Sequence, residues 1–203
     1  GLSQVRTDLI DTQLAALAEA AERTGRDPYV MAPMVATPAE STWFAERARA
    51  AGIKTVGIMV EVPSTALRSA QVLEPVDFAS IGTNDLTQYT MAADRLSPQL
   101  AYLTDPWQPA VLRLIQHTCI VGQANNVAVG VCGEAAADPM LACVLTGLGV
   151  NSLSAASTAV AGVGAQLAEI TLEQCQQLAE VALDAESPDA ARTAVVERME
   201  SFA

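Results

Sequence analysis

Hydrophobic residues along this chain recur in five short runs that are separated by longer segments of mixed polarity. The runs are continuous rather than strictly alternating, which is typical of strands that are buried on both faces of a parallel sheet. The runs are 29–34 (YVMAPM), 55–62 (TVGIMVEV), 76–82 (VDFASIG), 127–133 (VAVGVCG) and 150–155 (VNSLSA). The sequence therefore predicts five strands, each covered on both sides.

The segments between these runs carry helical patterns with recognisable start signals. One begins with Thr37 as a cap and has Pro38 at the first helical position. The same pattern of a capping residue followed by proline recurs at Asp105 and at Asp138. Several of these segments end at glycine or asparagine, which are common residues at the ends of helices. Helices are predicted within 7–25, 37–52, 105–126 and 138–149, and two more within 171–203, separated by ESPD.

Alternation of strands and helices with short connections predicts an α/β protein with a parallel sheet. Five strands fit either a doubly wound open sheet or part of a (βα)8 barrel. No G-x-G-x-x-G follows the first strand, so the sequence does not support a dinucleotide site. No linker or composition shift divides the chain, and we treat residues 1–203 as part of one domain.

Composition narrows the classes of partner. The 203 residues carry a net charge of −12, which opposes binding to nucleic acid or to an anionic membrane. No apolar run reaches about 18 residues, so no membrane-spanning helix is predicted. The four cysteines form no C-x-x-C pair, which argues against a zinc ribbon and fits a reducing, cytoplasmic location; they are Cys119, Cys132, Cys143 and Cys175.

Polar residues follow the predicted strands at their carboxyl ends, where parallel α/β folds place their chemistry. Glu61 ends the second run, Asn84 and Asp85 follow the third, and Cys132 ends the fourth. Each also has a purely structural interpretation. Glu61 fits a solvated strand end, the Asn-Asp pair fits a turn and helix cap, and Cys132 fits a small buried hydrophobic residue.

Taken together, these residues predict a site for a small phosphorylated or enolic acid. Glu61 and Asp85 are hard oxygen ligands that suit Mg²⁺, which completes its shell with water and substrate oxygens. Asn84 and nearby backbone N–H groups at a helix start can bind an anionic oxygen. Arg95, about three helical turns further on, could fold back to a phosphate or carboxylate. Cys132 could deliver a proton to a carbon or oxygen atom of the substrate that lies above the metal.

Two further residues, Arg95 and His117, have an interpretation that involves no binding site. Arg95 could be a surface charge that pairs with the neighbouring Asp94. His117 is the only histidine, and its place in the middle of a helical pattern predicts a residue on a helix face rather than a ligand.

Several segments closely resemble the C-terminal part of enzyme I of the bacterial sugar phosphotransferase system, the phosphoenolpyruvate–protein phosphotransferase family. Dikinases and phosphoenolpyruvate synthases carry a similar TNDLTQ segment, so the wider superfamily is the firmer assignment. The segments are MAPMVATPAE (31–40), VGIMVEVPSTAL (56–67), VDFASIGTNDLTQYTMAADR (76–95), DPWQPAVLRLI (105–115) and VGVCGEAAADP (129–139).

The resemblance implies a (βα)8 TIM barrel of the phosphoenolpyruvate/pyruvate-binding type, of which this chain holds about five of eight strand–helix units. It implies Mg²⁺, homodimerisation, and phosphoryl transfer to a histidine on a separate N-terminal domain that serves the phosphocarrier HPr in sugar uptake. By the same resemblance, Glu61 and Asp85 are Mg²⁺ ligands, and Asn84, Asp85 and Arg95 contact phosphoenolpyruvate. Cys132 is then the proton donor to the enolate of pyruvate.

The chain also departs from that family. The first three barrel strands, with their phosphate-binding arginines, and the histidine domain are absent from these 203 residues, and SLSAASTAVAGV has alanines where the family has methionine and proline. We therefore expect the chain alone not to turn over phosphoenolpyruvate. Two alternatives stay open: a non-catalytic dimerisation or regulatory remnant, and a related synthase, dikinase or Mg²⁺-dependent lyase.

Overall fold

The computed structural model describes residues 6–202, which form an α/β fold. The residues at either end, 1–5 and 203, lie outside this described part. Strands alternate with helices, and two 3₁₀ turns, Pro98–Leu100 and Ala135–Ala137, lie in loops. The elements are α1 (Thr7–Thr24), β1 (Tyr29–Ala32), α2 (Pro38–Ala50), β2 (Thr55–Val60), α3 (Pro63–Leu67), α4 (Ser69–Val72), β3 (Phe78–Gly82), α5 (Thr83–Thr90), α6 (Pro109–Ala124), β4 (Ala128–Cys132), α7 (Pro139–Gly147), β5 (Ser152–Ser154), α8 (Ser157–Ala168), α9 (Leu172–Asp184) and α10 (Pro188–Glu200).

All five strands of the described part pair in parallel, in the order β1-β2-β3-β4-β5. This order follows the sequence without a reversal, whereas a doubly wound sheet changes direction at a switch point. The five predicted strands are confirmed, each shortened to its hydrogen-bonded centre. The arrangement is that of an incomplete barrel, with β1 and β5 as its two edges.

The predicted start signals of α2 and α7 are confirmed. The Thr37 hydroxyl accepts a hydrogen bond from the Glu40 N–H, and the Glu40 carboxylate accepts one from the Thr37 N–H, which completes a capping box. The Asp138 carboxylate accepts from the N–H groups of Met140 and Leu141. Both caps satisfy donors that helix geometry leaves unpaired.

The predicted start at Asp105 is wrong. Helix α6 begins at Pro109, and Gln108 precedes it without a side-chain cap. The Asp105 carboxylate accepts from the Trp107 N–H and pairs with Arg192 instead. Pro109, the second proline of this segment, occupies the first helical position, and the helix therefore begins there rather than after Asp105.

The helices cover one face of the sheet, which contradicts the prediction that both faces are buried. Side chains on the helix side are excluded from solvent, as at Ile58 and Ile81, which are each 0% exposed. On the opposite face Tyr29 is 72% exposed, although its ring lies 5.3 Å from that of Phe78. Five strands do not close on themselves, so the face that would line a closed barrel remains accessible.

Three helices were not predicted: α3, α4 and α8. The first two are only one turn long, and α8 is rich in alanine and glycine, so its apolar face gives a weak signal. The two predicted C-terminal helices are confirmed as α9 and α10. None of the helices in residues 6–202 is both long and apolar enough to cross a membrane.

The backbones of α7 and α9 approach closely at Gly147. A Cβ atom at this position would lie 2.0 Å from the Cys175 carbonyl oxygen. Because the obstacle is backbone, no side-chain rotation can relieve the overlap. The glycine is thus required by helix packing.

We predict that Gly147→Ala lowers the free energy of unfolding by about 1–3 kcal/mol or more, because the two helices must separate. Urea denaturation measures this change. Gly164→Ala is the matched control, since nothing lies within 4 Å of the added methyl group. It should stabilise α8 by about 0.5–1 kcal/mol. Equal effects of the two substitutions would contradict the packing argument.

Candidate functional site

The carboxyl ends of β2, β3 and β4 form one rim. Gly82 pairs with Cys132 across the β3–β4 ladder, and Cys132 pairs with Ser154 of β5. Glu61 follows directly after β2, and Asn84 lies in the first turn after β3. Because the strands are parallel and in register, these residues lie at the same end of the sheet, which we call the carboxyl rim.

Glu61 is buried at this rim, with 4% of its surface exposed. Its Oε1 atom accepts a hydrogen bond of 2.6 Å from the Met34 backbone N–H. Met34 has a φ of 53°, a left-handed conformation that is uncommon for residues other than glycine. This strained backbone directs the N–H group from the loop after β1 towards the carboxylate.

The pKa of Glu61 is raised above its ordinary value. Burial is the main cause, the Met34 N–H opposes it, and the negative charge of Asp85 adds to it. Asp85 therefore lies close enough to interact with Glu61 electrostatically. The fold brings the two carboxylates together, as the strand ends predict.

The surroundings of Glu61 and Asp85 suit a cation. A Cβ atom at Gly82 would lie 3.0 Å from Glu61 Oε2, so glycine leaves space beside this oxygen. Neither carboxylate has an ion pair within residues 6–202. The same part of the chain contains no group of three or more His, Cys, Asp or Glu side chains that could hold a metal by themselves. Two carboxylates fit Mg²⁺, which takes further ligands from water and substrate.

Helix α5 starts immediately after β3 and has no side-chain cap. Its first turn contains Thr83, Asn84 and Asp85, and the free N–H groups of such a turn attract anions. The Thr83 hydroxyl donates a 3.1 Å hydrogen bond to the Cys132 carbonyl. Gly133 is left-handed, with a φ of 91°, and an added Cβ would lie 3.5 Å from Asn84 Oδ1. The first turn of α5 and the start of the loop after β4 thereby lie against each other.

Cys132 is half-buried at the end of β4. Its Sγ lies 3.4 Å from the Ile81 carbonyl oxygen, to which the thiol donates. This contact fixes the direction of the thiol on the strand next to the one that leads to Asn84 and Asp85. Burial raises the pKa of the Cys119 and Cys143 thiols to about 12, which makes them packing residues.

Arg95 lies beyond the end of the helix that follows β3. Helix α5 ends at Thr90, and the chain then turns through Ala92, which has a φ of 50°. Arg95 lies exposed in the loop that follows, where its backbone N–H donates to Gln88 Oε1. Its side chain has no ion pair within residues 6–202, with Asp94 or with any other carboxylate.

The fold thus brings Glu61, Asn84, Asp85 and Cys132 to one rim, whereas a contact of Arg95 with substrate stays a prediction. Sequence reasoning missed the Met34 N–H, because a left-handed methionine has no sequence signal. The exposed position of His117 on helix α6 is as predicted.

Comparison with known proteins identifies relatives across most of the chain. The family described as PEP-utilising enzyme, PEP-binding domain, matches residues 2–172. A phosphoenolpyruvate-protein phosphotransferase from Streptomyces coelicolor is 52% identical over 188 residues, covering 92% of this chain and 34% of that protein. A multiphosphoryl transfer protein from Rhodobacter capsulatus is 43% identical over 182 residues, covering 87% of this chain and 22% of the relative. The chain spans about a third or less of the length of these relatives.

Among solved structures, a citrate lyase from Burkholderia xenovorans superposes with a TM-score of 0.54. The match covers 86% of this chain and 64% of the other, at 14% sequence identity. Likeness at this level of identity supports the fold described above and carries no argument about chemistry.

We predict that Asp85→Asn lowers the pKa of Glu61 towards its ordinary value, because one repulsive charge is removed while burial remains. Carbon-detected NMR titration of the Glu61 carboxyl group would measure the shift in metal-free buffer. Glu180→Gln, on the exposed side of α9, removes the same charge elsewhere and should leave this pKa unchanged. An unaltered Glu61 pKa in Asp85→Asn would show that the two carboxylates are not coupled.

The stability of the protein should depend on Glu61 in a defined direction. The pKa of Glu61 is higher in the folded state than in the unfolded state. Between these two pKa values the folded state therefore binds more protons than the unfolded state. The contribution of Glu61 to the free energy of unfolding therefore falls as pH rises from the ordinary value of 4.5 through the raised value. Glu61→Gln should be more stable than the wild type at pH 7 and lose this advantage below about pH 4.5. Urea denaturation across pH tests this, and the opposite sign would contradict it.

Proposed function

Since the chain belongs to the family of PEP-utilising enzymes through their PEP-binding domain, we propose that its rim forms part of a phosphoenolpyruvate site. The full function we propose is that of a phosphoenolpyruvate–protein phosphotransferase, of which residues 1–203 are the C-terminal part of the substrate-binding barrel. The observation that carries this proposal is the pair of coupled carboxylates, Glu61 and Asp85, beside the uncapped start of α5. The names of the relatives from Streptomyces coelicolor and Rhodobacter capsulatus support the reaction class.

Glu61 and Asp85 would hold Mg²⁺ in this proposal. When bound, the ion would neutralise charge on the phosphoryl group and polarise its oxygens. The raised pKa of Glu61 supports this role, because a cation relieves both the burial of its charge and its repulsion from Asp85.

The remaining rim residues would bind phosphoenolpyruvate and protonate the enolate of pyruvate. The Asn84 amide and the free N–H groups of α5 would donate hydrogen bonds to the anionic oxygens of phosphoenolpyruvate. Arg95 would contact the same anion, which requires its loop to bring the side chain to the rim. Once the phosphoryl group has left, the Cys132 thiol would transfer its proton to the carbon of the pyruvate enolate and become a thiolate.

The acceptor of the phosphoryl group lies outside this chain in our proposal. It would be a histidine on a separate N-terminal domain that passes the group to the phosphocarrier HPr during sugar uptake. We further propose that the barrel dimerises and that the protein works in the cytoplasm. The four free cysteines support a reducing compartment.

The open sheet supports the proposal that a longer protein completes the site. Tyr29 and Met31 on β1 and the serines of β5 expose the inner face at both edges of the sheet. In the family, the strands that would pair with these edges supply further arginines. A non-catalytic role for this chain alone remains the second candidate, favoured by the exposed loop position of Arg95.

We predict that the 203-residue chain binds phosphoenolpyruvate only weakly, in the millimolar range or above, and does not transfer its phosphoryl group. Each missing charge-assisted contact costs about 1.5–3 kcal/mol, so two of them weaken binding about a hundredfold or more. Titration calorimetry with phosphoenolpyruvate and Mg²⁺ measures this. Asp85→Ala should abolish the Mg²⁺-dependent part, and Glu180→Ala should not. Submillimolar binding that is lost in Asp85→Ala would show a complete site and refute our proposal of half a site.

A further inference from the structure

A buried tryptophan lies where three separate parts of the chain meet. Trp107 is 0% exposed and lies at the end of the loop between α5 and α6. Its indole Nε1–H donates a 2.9 Å hydrogen bond to Asp138 Oδ2, which precedes α7. The guanidinium of Arg192, on α10, lies 5.4 Å from the centre of its ring. One side chain therefore contacts two loops and the last helix.

Arg192 also holds Asp105 by a forked contact. Its two terminal nitrogens donate to the two carboxylate oxygens of Asp105, each at 2.9 Å. The Oδ1 atom of Asp105 accepts a further bond of 2.9 Å from the Trp107 backbone N–H. Bidentate pairs of this kind are among the stronger polar contacts, and this one is partly shielded from water. The weaker contact of Arg192 with the fully exposed Asp189, at 3.7 Å, adds little.

The network joins the segment that follows α5 to the segment that follows β4 at the carboxyl rim. Residues 91–108 connect α5 to α6, carry Arg95, and end at Asp105 and Trp107. Residues 133–138 follow Cys132 and end at Asp138, which caps α7 through its other oxygen, Oδ1. The Trp107–Asp138 bond therefore fixes the far end of one loop to the far end of the other. At the rim, Gly133 at the start of the second segment approaches Asn84, in the first turn of the helix that precedes the first segment.

We propose that Arg192 is a positioning residue, which holds the loop that carries Arg95 and, through Trp107, the loop that follows Cys132, without touching the site itself. Arg192 lies outside residues 2–172, the part that the family match covers, so the resemblance assigns it no role. The two C-terminal helices then act as more than a packing layer, because α10 fixes the far end of the loop that carries Arg95. The consequence for phosphoenolpyruvate binding rests on the proposed function, whereas the ordering of the loops does not.

Hydrogen–deuterium exchange on the full chain tests the ordering directly. In Arg192→Ala, we expect exchange in 91–104 and 133–138 to rise together by about tenfold, equivalent to about 1.4 kcal/mol of local opening. Arg192→Lys keeps the charge but loses the fork, so it should restore part of the protection. The matched control is Arg113→Ala, because Arg113 joins α6 to α9 through the Leu183 carbonyl and Asp184 and contacts neither loop.

Trp107→Phe is the second variant, in case Arg192→Ala does not fold. It keeps an aromatic ring, removes the N–H donor to Asp138 and leaves a smaller side chain in the buried position. Exchange should then rise in 133–138. A rise confined to α10 in Arg192→Ala, an equal rise across the whole chain, or unchanged exchange of 133–138 in Trp107→Phe would overturn the proposal.

Binding measurements separate this proposal from the proposed function. If the wild-type chain binds phosphoenolpyruvate, Arg192→Ala should weaken that affinity about tenfold at a temperature where the variant is fully folded, and Arg113→Ala should not. Unchanged affinity in a folded Arg192→Ala would overturn the positioning role. If the wild type shows no binding at all, the proposed function fails for this chain, and the exchange experiment alone decides whether Arg192 orders the loops.

Discussion

The parallel register of β2, β3 and β4 is the constraint on which the rest of this structure depends. It places Gly82 opposite Cys132 and brings the end of β2, with Glu61, to the same rim. The register also decides which side chains face the helices, because successive residues of a strand point to opposite faces. Ile58 and Ile81 are buried for this reason, whereas Tyr29 lies on the open face. A shift of one residue in any strand would exchange the buried and the polar sets.

At the rim, the fold keeps two carboxylates close together in a protein that already carries a net charge of −12. This arrangement is unfavourable for folding, since burial and mutual repulsion both raise the pKa of Glu61. The Met34 N–H compensates part of the cost, but only through a backbone conformation that is itself strained. Strain and uncompensated charge at one place are expected where a bound ligand supplies the missing interactions. The cluster is therefore better explained by binding than by stability.

The open sheet and the ordered loops have different causes. The inner face is exposed because five strands cannot close a barrel, and the chain corresponds to about a third or less of its relatives' length. The loops beyond the rim, in contrast, are held by contacts that lie within this chain, including the capped start of α7 and the pair of Arg192 with Asp105. Part of the proposed site can therefore be well ordered even where the surrounding barrel is incomplete.

The sequence by itself determined the class of fold, the five strands, most of the long helices and the identity of the rim residues. Local signals were sufficient there, since strand runs, capping residues and strand-end polar groups act over a few neighbouring positions. Only the tertiary structure decided that Asp105 pairs with Arg192 rather than capping a helix, because these partners are 87 residues apart in sequence. It likewise decided that the Met34 N–H points to Glu61 and that Arg95 lies exposed in a loop, since both depend on how the loops pack against the rest of the fold. The open inner face also appeared only in three dimensions, because a strand's composition cannot show whether the sheet around it closes.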